Sequence, residues 1–226
     1  PSRGQRAGAP LTHFFVAGGA LWAADSGGLH CDRTRTGSKW ESLYTAHMET
    51  ATLGGGCFWC TEAIFQRLNG VEKRTSDYSG GDKKTASYSQ VSSGTSGHAE
   101  VIQIRFDPTV ISFEKLLDVF FATHDPTTMN QQGNDVGEQY RSVIFYHSDS
   151  QKEASKTAIK KLEDKGKFND PIVTQVVPFK SFYPAEEDHQ NFYNSNPNNS
   201  YCQVVIDPTI NKLTKNCKED LENTNE

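Results

Sequence analysis

The stretch GGGCFWC, residues 54–60, joins a predicted strand to a predicted helix, and the expected architecture builds outward from it. Residues 50–55 have the pattern of a strand that runs into a glycine turn. Residues 61–68 place their apolar side chains at the spacing of one helical face, and Asn69-Gly70 supplies a helix stop. The pattern therefore predicts a strand, a tight turn that carries Cys57, and a helix.

Strand and helix patterns continue along the chain without strict repetition. We expect an α/β (α+β) two-layer sandwich, with a mixed β-sheet and flanking helices. Residues 48–210 are assigned to the folded domain, and residues 211–226 to a polar C-terminal tail. The further predicted strands cover residues 101–107, 142–147, 172–177 and 201–206, and the further predicted helices cover residues 112–124 and 150–165.

The first 47 residues differ from the rest of the chain. They are rich in glycine, show no clear periodicity and precede Met48, the first methionine. We expect a leader that is non-native or disordered. Residues 11–24, after Arg3 and Arg6, imitate the basic start, apolar centre and small-residue exit of a signal peptide, so export is the alternative.

Composition excludes several classes of protein. The chain has 226 residues, with 23 Lys and Arg against 28 Asp and Glu, so no positive excess is present to bind a phosphate backbone. No apolar run approaches the roughly 18 residues of a membrane-spanning helix. The five cysteines are too few for a disulfide scaffold at this length, but two of them form a Cys-x-x-Cys pair. We expect redox or metal chemistry, and neither nucleic acid nor membrane as a partner.

Cys57 is the candidate nucleophile. A thiolate at the start of a helix is stabilised by free backbone N–H groups and by the helix dipole, so its pKa is expected to fall below the usual value of about 8.5. Phe58 and Trp59 offer an aromatic wall for an apolar substrate group. Two other interpretations of the Cys57 and Cys60 pair are a structural zinc site, for which no second ligand pair is evident, and a thioredoxin-like disulfide exchanger.

Several separated motifs occur together over residues 50–206. They are GCFW at 56–59, Tyr88 ahead of SGHAE at 96–100, HDP at 124–126, QGNDxGxQYRS at 132–142, AExDHQ at 185–190 and YC at 201–202. In this order they resemble the A-type peptide methionine sulfoxide reductases. The resemblance implies a ferredoxin-like fold and a peptide-methionine (S)-S-oxide reductase, an oxidoreductase that repairs proteins after oxidative damage without a metal or organic cofactor.

The resemblance also implies a role for each site residue. Cys57 attacks the substrate sulfur, Glu100 delivers a proton to the oxygen, and Tyr88 and Tyr140 hydrogen-bond that oxygen. Asp135 is a supporting acid near the polar groups of the substrate. To be an acid at neutral pH, Glu100 needs a pKa above the reference value of about 4.3, which burial would provide.

By the same resemblance, the Phe58 and Trp59 rings hold the substrate methyl group. Cys57 is left as a sulfenic acid, which a second thiol condenses with to form a disulfide. Cys202 matches the family position most often given this resolving role, and it is favoured.

The resolving step stays open because of a second nearby thiol. Cys60 lies three residues from Cys57, at a position where many family members carry glycine. It can compete with Cys202 for the Cys57 sulfenic acid. Cys217, in the polar tail, is a candidate relay thiol. We expect a cytoplasmic monomer that reduces free methionine sulfoxide or oxidised proteins and is recycled by thioredoxin.

Overall fold

A computed structural model of the chain describes residues 48–216 and 221, together with the backbone of four two-residue strands between residues 16 and 29. The chain divides into two units, residues 1–47 and residues 48–226. In the first unit the short strands form two antiparallel pairs. These pairs are β1 (Val16–Ala17) with β2 (Ala20–Leu21), and β3 (Ala24–Asp25) with β4 (Gly28–Leu29). The remainder of the predicted leader lies outside the described residues.

The second unit is built on a mixed six-stranded sheet. Its order is β11-β10-β5-β7-β6-β12, in which β10 and β11 are parallel and every other pair is antiparallel. A separate small hairpin pairs β8 with β9. The strands are β5 (Glu49–Gly55), β6 (Val71–Ser79), β7 (Ala99–Phe106), β8 (Gln131–Gln132), β9 (Asp135–Val136), β10 (Ser142–Tyr146), β11 (Gln175–Pro178) and β12 (Tyr183–Pro184).

Helices flank this sheet, which confirms the predicted architecture. The side chains of Ser112 and Ser148 cap the two longest helices by accepting from backbone N–H groups in the first turn, so both helices begin where the sequence predicted a start. The helices are α1 (Phe58–Phe65), α2 (Tyr88–Val91), α3 (Phe113–Thr123), α4 (Asp149–Asp164), α5 (Phe192–Ser195) and α6 (Asp207–Asn216), with a π-helical turn at Cys202–Ile206 leading into α6. No helix among the described residues is long and apolar enough to cross a membrane.

The main core lies between the sheet and the helices. Strand β7 contributes Ile102, Ile104 and Phe106 to this core, while Ala99 and Val101 belong to a smaller cluster with residues of β10. Alternation along β7 therefore sends side chains to both faces of the sheet. Each fully buried side chain of this size stabilises the fold by about 1.5–3 kcal/mol, so β7 is firmly held in the centre of the sheet.

The strand predicted at residues 201–206 is wrong, because these residues are helical. Cys202 and Ile206 are buried, whereas Val204 between them is 72% exposed. Burial four residues apart is the spacing of a helix face, not the alternation of a strand. The helix continues through α6, where Leu213 is fully buried, so the expected domain boundary at residue 210 falls inside a helix. Cys217 lies outside the described residues.

Strand β6 was not predicted, and the fourth predicted strand begins three residues later than expected, at Gln175. The second half of β6 buries Ser76, Asp77 and Ser79 beside Tyr78. Polar side chains at buried positions hide the apolar alternation by which a strand is recognised in sequence. Strand β6 pairs with β7 and places Tyr78 directly opposite Glu100.

Candidate active site

Cys57 occupies the N-cap position of α1, at the end of a glycine turn. Its carbonyl oxygen accepts the backbone N–H groups of Cys60, at 3.1 Å, and Thr61, at 3.3 Å, and these bonds start the helix. Gly56 has φ +99°, and a Cβ there would lie 2.6 Å from Cγ of Gln132. Only glycine combines this φ with so close a neighbour, so the turn confirms the predicted strand, glycine turn and helix.

Glu100 reaches the turn from the neighbouring strand β7. Its Oε2 accepts the backbone N–H of Phe58 at 3.1 Å, directly beside the nucleophile, and the side chain is 2% exposed. Burial raises the pKa of Glu100 to about 8, a rise that the bond from Phe58 opposes and the charge of Asp135 increases. A carboxyl group with this pKa carries its proton at neutral pH and can donate it.

The predicted low pKa of Cys57 is wrong for this structure. Burial raises the pKa of the Cys57 thiol well above its ordinary value, and the neighbouring Cys60 thiol and the charge of Glu100 raise it further. A contact with Tyr201 acts in the opposite direction. The prediction considered only the helix N-terminus, which is a local feature that lowers the pKa. The loss of water around the Cys57 sulfur and the nearby Glu100 carboxylate are tertiary effects that raise the pKa, and they are larger.

Tyr88, on α2, and Tyr140, just before β10, both lie near the nucleophile. Burial raises the pKa of both hydroxyl groups, and the charges of Glu100, Cys57 and Asp135 raise them further. These shared electrostatic effects place both tyrosines near the same three groups. Both hydroxyl groups therefore remain protonated hydrogen-bond donors at neutral pH.

Tyr201 is a site residue for which the sequence analysis had no role. Its hydroxyl donates to Oδ2 of Asp135 at 2.6 Å and lies 3.8 Å from Sγ of Cys60. The charges of Cys57 and Cys60 also contribute to a raised pKa of Tyr201, after burial. The sequence offered one signal for Tyr201, which is its place next to Cys202 in the YC motif. Only the cysteine of that motif was given a role.

An aromatic cluster surrounds the first turn of α1. Trp59 stacks on Phe192 with ring centroids 3.6 Å apart, and His189 lies 5.5 Å from Phe58 and 5.6 Å from Trp59. The ring of Tyr88 covers His189 at 4.3 Å. Phe58 is buried and Trp59 is half-buried, so of the two predicted methyl-binding rings only Trp59 presents surface.

Two ring nitrogens in this cluster, Nε1 of Trp59 and Nδ1 of His189, are buried with no hydrogen-bond partner among the described residues. Buried polar atoms are normally paired, so these two nitrogens are exceptions within the cluster.

Glu186 connects the loop that carries His189 to the helix that carries Tyr88. Its carboxylate accepts the backbone N–H of Tyr88 at 2.9 Å and the hydroxyl of Tyr78 at 2.9 Å. Tyr78 is fully buried on β6 and pairs with Glu100 across the sheet. One exposed carboxylate therefore links the exposed Tyr88 to the buried core beneath the site.

The cysteines in the described part of the chain, Cys57, Cys60 and Cys202, are free thiols. Cys60 interacts with Cys57 and also packs against the cluster of Ala63, Cys202 and Ile206. Cys202 is 1% exposed in that cluster, and the contacts of Cys57 that affect its pKa include Cys60 but not Cys202. Cys60 is thus the thiol between the other two.

Nothing in the described part of the chain groups three or more His, Cys, Asp or Glu side chains in a way that could hold a metal ion. The arrangement instead joins a thiol, a protonated carboxyl group, two phenolic donors and a neighbouring thiol. These groups can reduce a substrate that has a polarised bond to oxygen. The thiol attacks the atom that carries the oxygen, and the carboxyl group protonates the oxygen.

Comparisons with known proteins agree with this chemistry. A family profile described as peptide methionine sulfoxide reductase matches residues 49–221. The peptide methionine sulfoxide reductase MsrA of Sulfolobus acidocaldarius is 53% identical over 169 residues, which cover 75% of this chain and 95% of that protein. The MsrA of Leptospira borgpetersenii is 54% identical over 168 residues, which cover 74% of this chain and 94% of that protein.

Solved structures resemble the fold as well. Reduced Mxr1 from Saccharomyces cerevisiae superposes with a TM-score of 0.64 at 36% identity, over 70% of this chain and 90% of that one. Methionine sulfoxide reductase A of Corynebacterium diphtheriae superposes with a TM-score of 0.60 at 30% identity, over 67% of this chain and 76% of that one.

Proposed function

The chain belongs to the peptide methionine sulfoxide reductase family and is an oxidoreductase, and we propose that it reduces the S epimer of methionine sulfoxide at Cys57. The observation that carries the proposal is the bond of 3.1 Å from the Phe58 backbone to Glu100, because it holds a buried proton donor beside the nucleophile. We propose residues 48–210, continued by α6 to Asn216, as the catalytic domain.

In the first step the Cys57 sulfur attacks the substrate sulfur while Glu100 protonates the oxygen. The attack forms a bond between the two sulfur atoms, and this bond and the S–O bond of the substrate then break as the oxygen passes to Cys57. The thiol and the sulfoxide thereby become a sulfenic acid and a thioether. Glu100 regains a proton from the thiol of Cys57, which leaves no net change in protons. Tyr88 and Tyr140 donate hydrogen bonds to the oxygen as its negative charge develops.

The aromatic cluster provides the seat for the rest of the substrate. Trp59 presents a partly exposed ring that suits a methyl group on sulfur, and Phe58 supports it from below. Asp135, held by the bond of 2.6 Å from Tyr201, lies near the polar part of the methionine backbone. We propose that oxidised proteins and free methionine sulfoxide are both substrates.

The second step forms a disulfide, and here we propose Cys60 as the first resolving thiol. Its contact with Cys57 supports this choice over the favoured Cys202, which is enclosed in a neighbouring cluster. Condensation of the Cys57 sulfenic acid with the Cys60 thiol releases water and leaves a Cys57–Cys60 disulfide. Cys202 lies next to Cys60 and can receive the disulfide from it by exchange.

A dithiol then returns the enzyme to its reduced form, and we propose thioredoxin for this role, as part of protein repair after oxidative stress in the cytoplasm. Mxr1 of Saccharomyces cerevisiae has also been solved in complex with Trx2. In this chain, a disulfide between neighbouring cysteines needs a two-electron thiol donor to be reopened.

The proposal is tested by mixing the enzyme with a peptide that carries one sulfoxide epimer, without any reductant. We expect one methionine per chain from the S epimer, with a second where exchange to Cys202 frees the Cys57 thiol, none from the R epimer, and none from Cys57→Ser. Turnover of the R epimer, or methionine formation by Cys57→Ser, would contradict the assignment.

The same reaction separates the two resolving candidates. After one turnover, mass spectrometry of Cys202→Ser should still find the Cys57–Cys60 disulfide, whereas Cys60→Ser should accumulate the Cys57 sulfenic acid. Rapid formation of a Cys57–Cys202 disulfide in wild type, with Cys60 still free, would assign the resolving step to Cys202.

A further inference from the structure

A buried guanidinium group connects the two segments that carry Glu100 and Tyr140. Arg141 follows Tyr140 in the sequence, and neither the sequence analysis nor the proposed reaction gives it a role. Arg141 is only 8% exposed, so the fold encloses a permanent positive charge. Burying a charge is costly unless its donors are paired, so the hydrogen bonds of Arg141 indicate what it does.

The guanidinium group donates to three backbone carbonyl groups. Nη1 donates to the carbonyl oxygen of His98 at 3.0 Å and to that of Glu138 at 2.9 Å. Nη2 donates to the carbonyl oxygen of Gly97 at 3.1 Å. The donors of arginine form a rigid planar fork, so one side chain can hold several acceptors in a fixed geometry. Arg141 therefore ties residues 97–98 to residue 138.

Each of the tied segments leads directly to a site residue. His98 lies two residues before Glu100, just ahead of the first residue of β7. Glu138 lies two residues before Tyr140, in a single 3₁₀ turn. Only one residue of ordered backbone thus separates each anchored carbonyl group from a residue whose side chain acts on the substrate oxygen.

The backbone bonds, and not an ion pair, hold the guanidinium group in place. Gly80 has φ +100°, and a Cβ there would lie 2.9 Å from Nη2 of Arg141, so this glycine leaves room for the fork. The carboxylate of Glu138 is 3.9 Å from Nη1, and its side chain is 44% exposed. An ion pair with this length and exposure stabilises little.

We propose that Arg141 is a positioning residue, which sets the distance between the carboxyl group of Glu100 and the hydroxyl group of Tyr140. The inference rests on the proposed function, in which both groups act on the substrate oxygen. This oxygen gains its negative charge only as the S–O bond breaks. A displaced acid or phenol therefore slows the chemical step and leaves substrate binding unchanged.

The test compares Arg141→Lys with wild type in single turnovers of the S-sulfoxide peptide at several peptide concentrations. Lysine keeps the positive charge but has no planar fork, so it cannot hold three carbonyl groups together. We expect the maximal rate of methionine formation to fall about 10- to 100-fold. The peptide concentration that gives half of this rate should change by less than about 2-fold.

Arg105→Lys is the matched control, because it makes the same replacement near the other end of β7. Arg105 forms an exposed ion pair with Glu72, which lysine can keep, so this variant should form methionine at the wild-type rate.

A neutral variant separates geometry from charge. The causes of the raised pKa of Glu100 do not include the charge of Arg141. In Arg141→Gln the rate should fall as in Arg141→Lys, while the midpoint of its alkaline decrease stays at about pH 8. If Arg141→Gln does not fold, Arg141→Lys alone decides, since a role of charge would leave its rate at the wild-type value.

Three results would overturn the positioning role. They are a wild-type rate in Arg141→Lys, a half-saturating peptide concentration that rises as much as the rate falls, and a midpoint that moves upward in Arg141→Gln. The wild-type reaction keeps this test separate from the proposed function. If wild type forms no methionine from the S epimer, the proposed function fails. If wild type forms methionine and one of the three results is found, only the positioning role fails.

Discussion

At the scale of single residues, the site holds two acids whose protons are both retained by burial. Burial is the main cause of the raised pKa of Cys57 and of the pKa of about 8 for Glu100. A protonated Glu100 lowers the negative charge that opposes a Cys57 thiolate, and it is also the form that can protonate an oxygen. Activity that depends on this acid should therefore fall as the pH rises through about 8.

Replacing Glu100 by glutamine should abolish the acid step and stabilise the fold at alkaline pH. The pKa of folded Glu100 lies above its ordinary value of 4.5, so the folded chain binds this proton more tightly than the unfolded chain. The corresponding stability is fully present below pH 4.5 and is lost as the pH rises through about 8. Relative to wild type, Glu100→Gln should gain on the order of 2–4 kcal/mol in free energy of unfolding between pH 5 and pH 9.

Urea unfolding at the two pH values measures this gain. Glu163→Gln, on the exposed face of α4, is the matched control and should show no such difference. A Glu100→Gln protein with the same relative stability at pH 5 and pH 9 would show that Glu100 does not carry a raised pKa in the folded chain.

At the scale of elements, the position of α2 depends on a contact from a distant loop. Glu186→Ala removes the acceptor for the Tyr88 backbone and for the Tyr78 hydroxyl. We expect kcat/KM for the S-sulfoxide to fall about 3- to 10-fold, equivalent to roughly 1 kcal/mol for the lost hydrogen bonds. Steady-state kinetics with the neighbouring exposed Glu187→Ala as control checks this effect.

A double-mutant cycle distinguishes positioning from a general loss of structure. If Glu186 acts through Tyr88, then Glu186→Ala should have little further effect on kcat/KM in a Tyr88→Phe background. Additive losses in the double variant would mean that Glu186 supports the site by another route.

The elements also show which features can be read from sequence and which cannot. The turn at Cys57 was predicted because glycines and helical spacing are local signals. Strand β6 was missed because Ser76 and Asp77 are polar although they are buried. The pKa of Cys57 was predicted in the wrong direction, and Tyr201 was not recognised, because both depend on side chains that only the folded chain brings together.

At the scale of the whole molecule, the C-terminal helix belongs to the packed domain. Leu213 is fully buried in the main core, and Leu221 forms a bridge with Leu68 near the end of α1. Leu213→Ala should lower the free energy of unfolding by about 2–5 kcal/mol, as for other buried leucines. Chemical denaturation measures the loss, and Thr214→Ala, at an exposed position, serves as control. A loss below about 0.5 kcal/mol would mean that this segment is a solvated tail and not part of the packed domain.

The spread of the site along the chain has a consequence for the protein during its synthesis. Cys57 leaves the ribosome early, Glu100 and Tyr140 follow on later strands, and Tyr201 comes near the end. Translation runs from the N-terminus at about 5–20 residues per second. Tyr201 is therefore synthesised several seconds or more after Cys57. A nascent chain therefore carries a cysteine that is not yet enclosed, and its active site is complete only when almost all of the domain has been made.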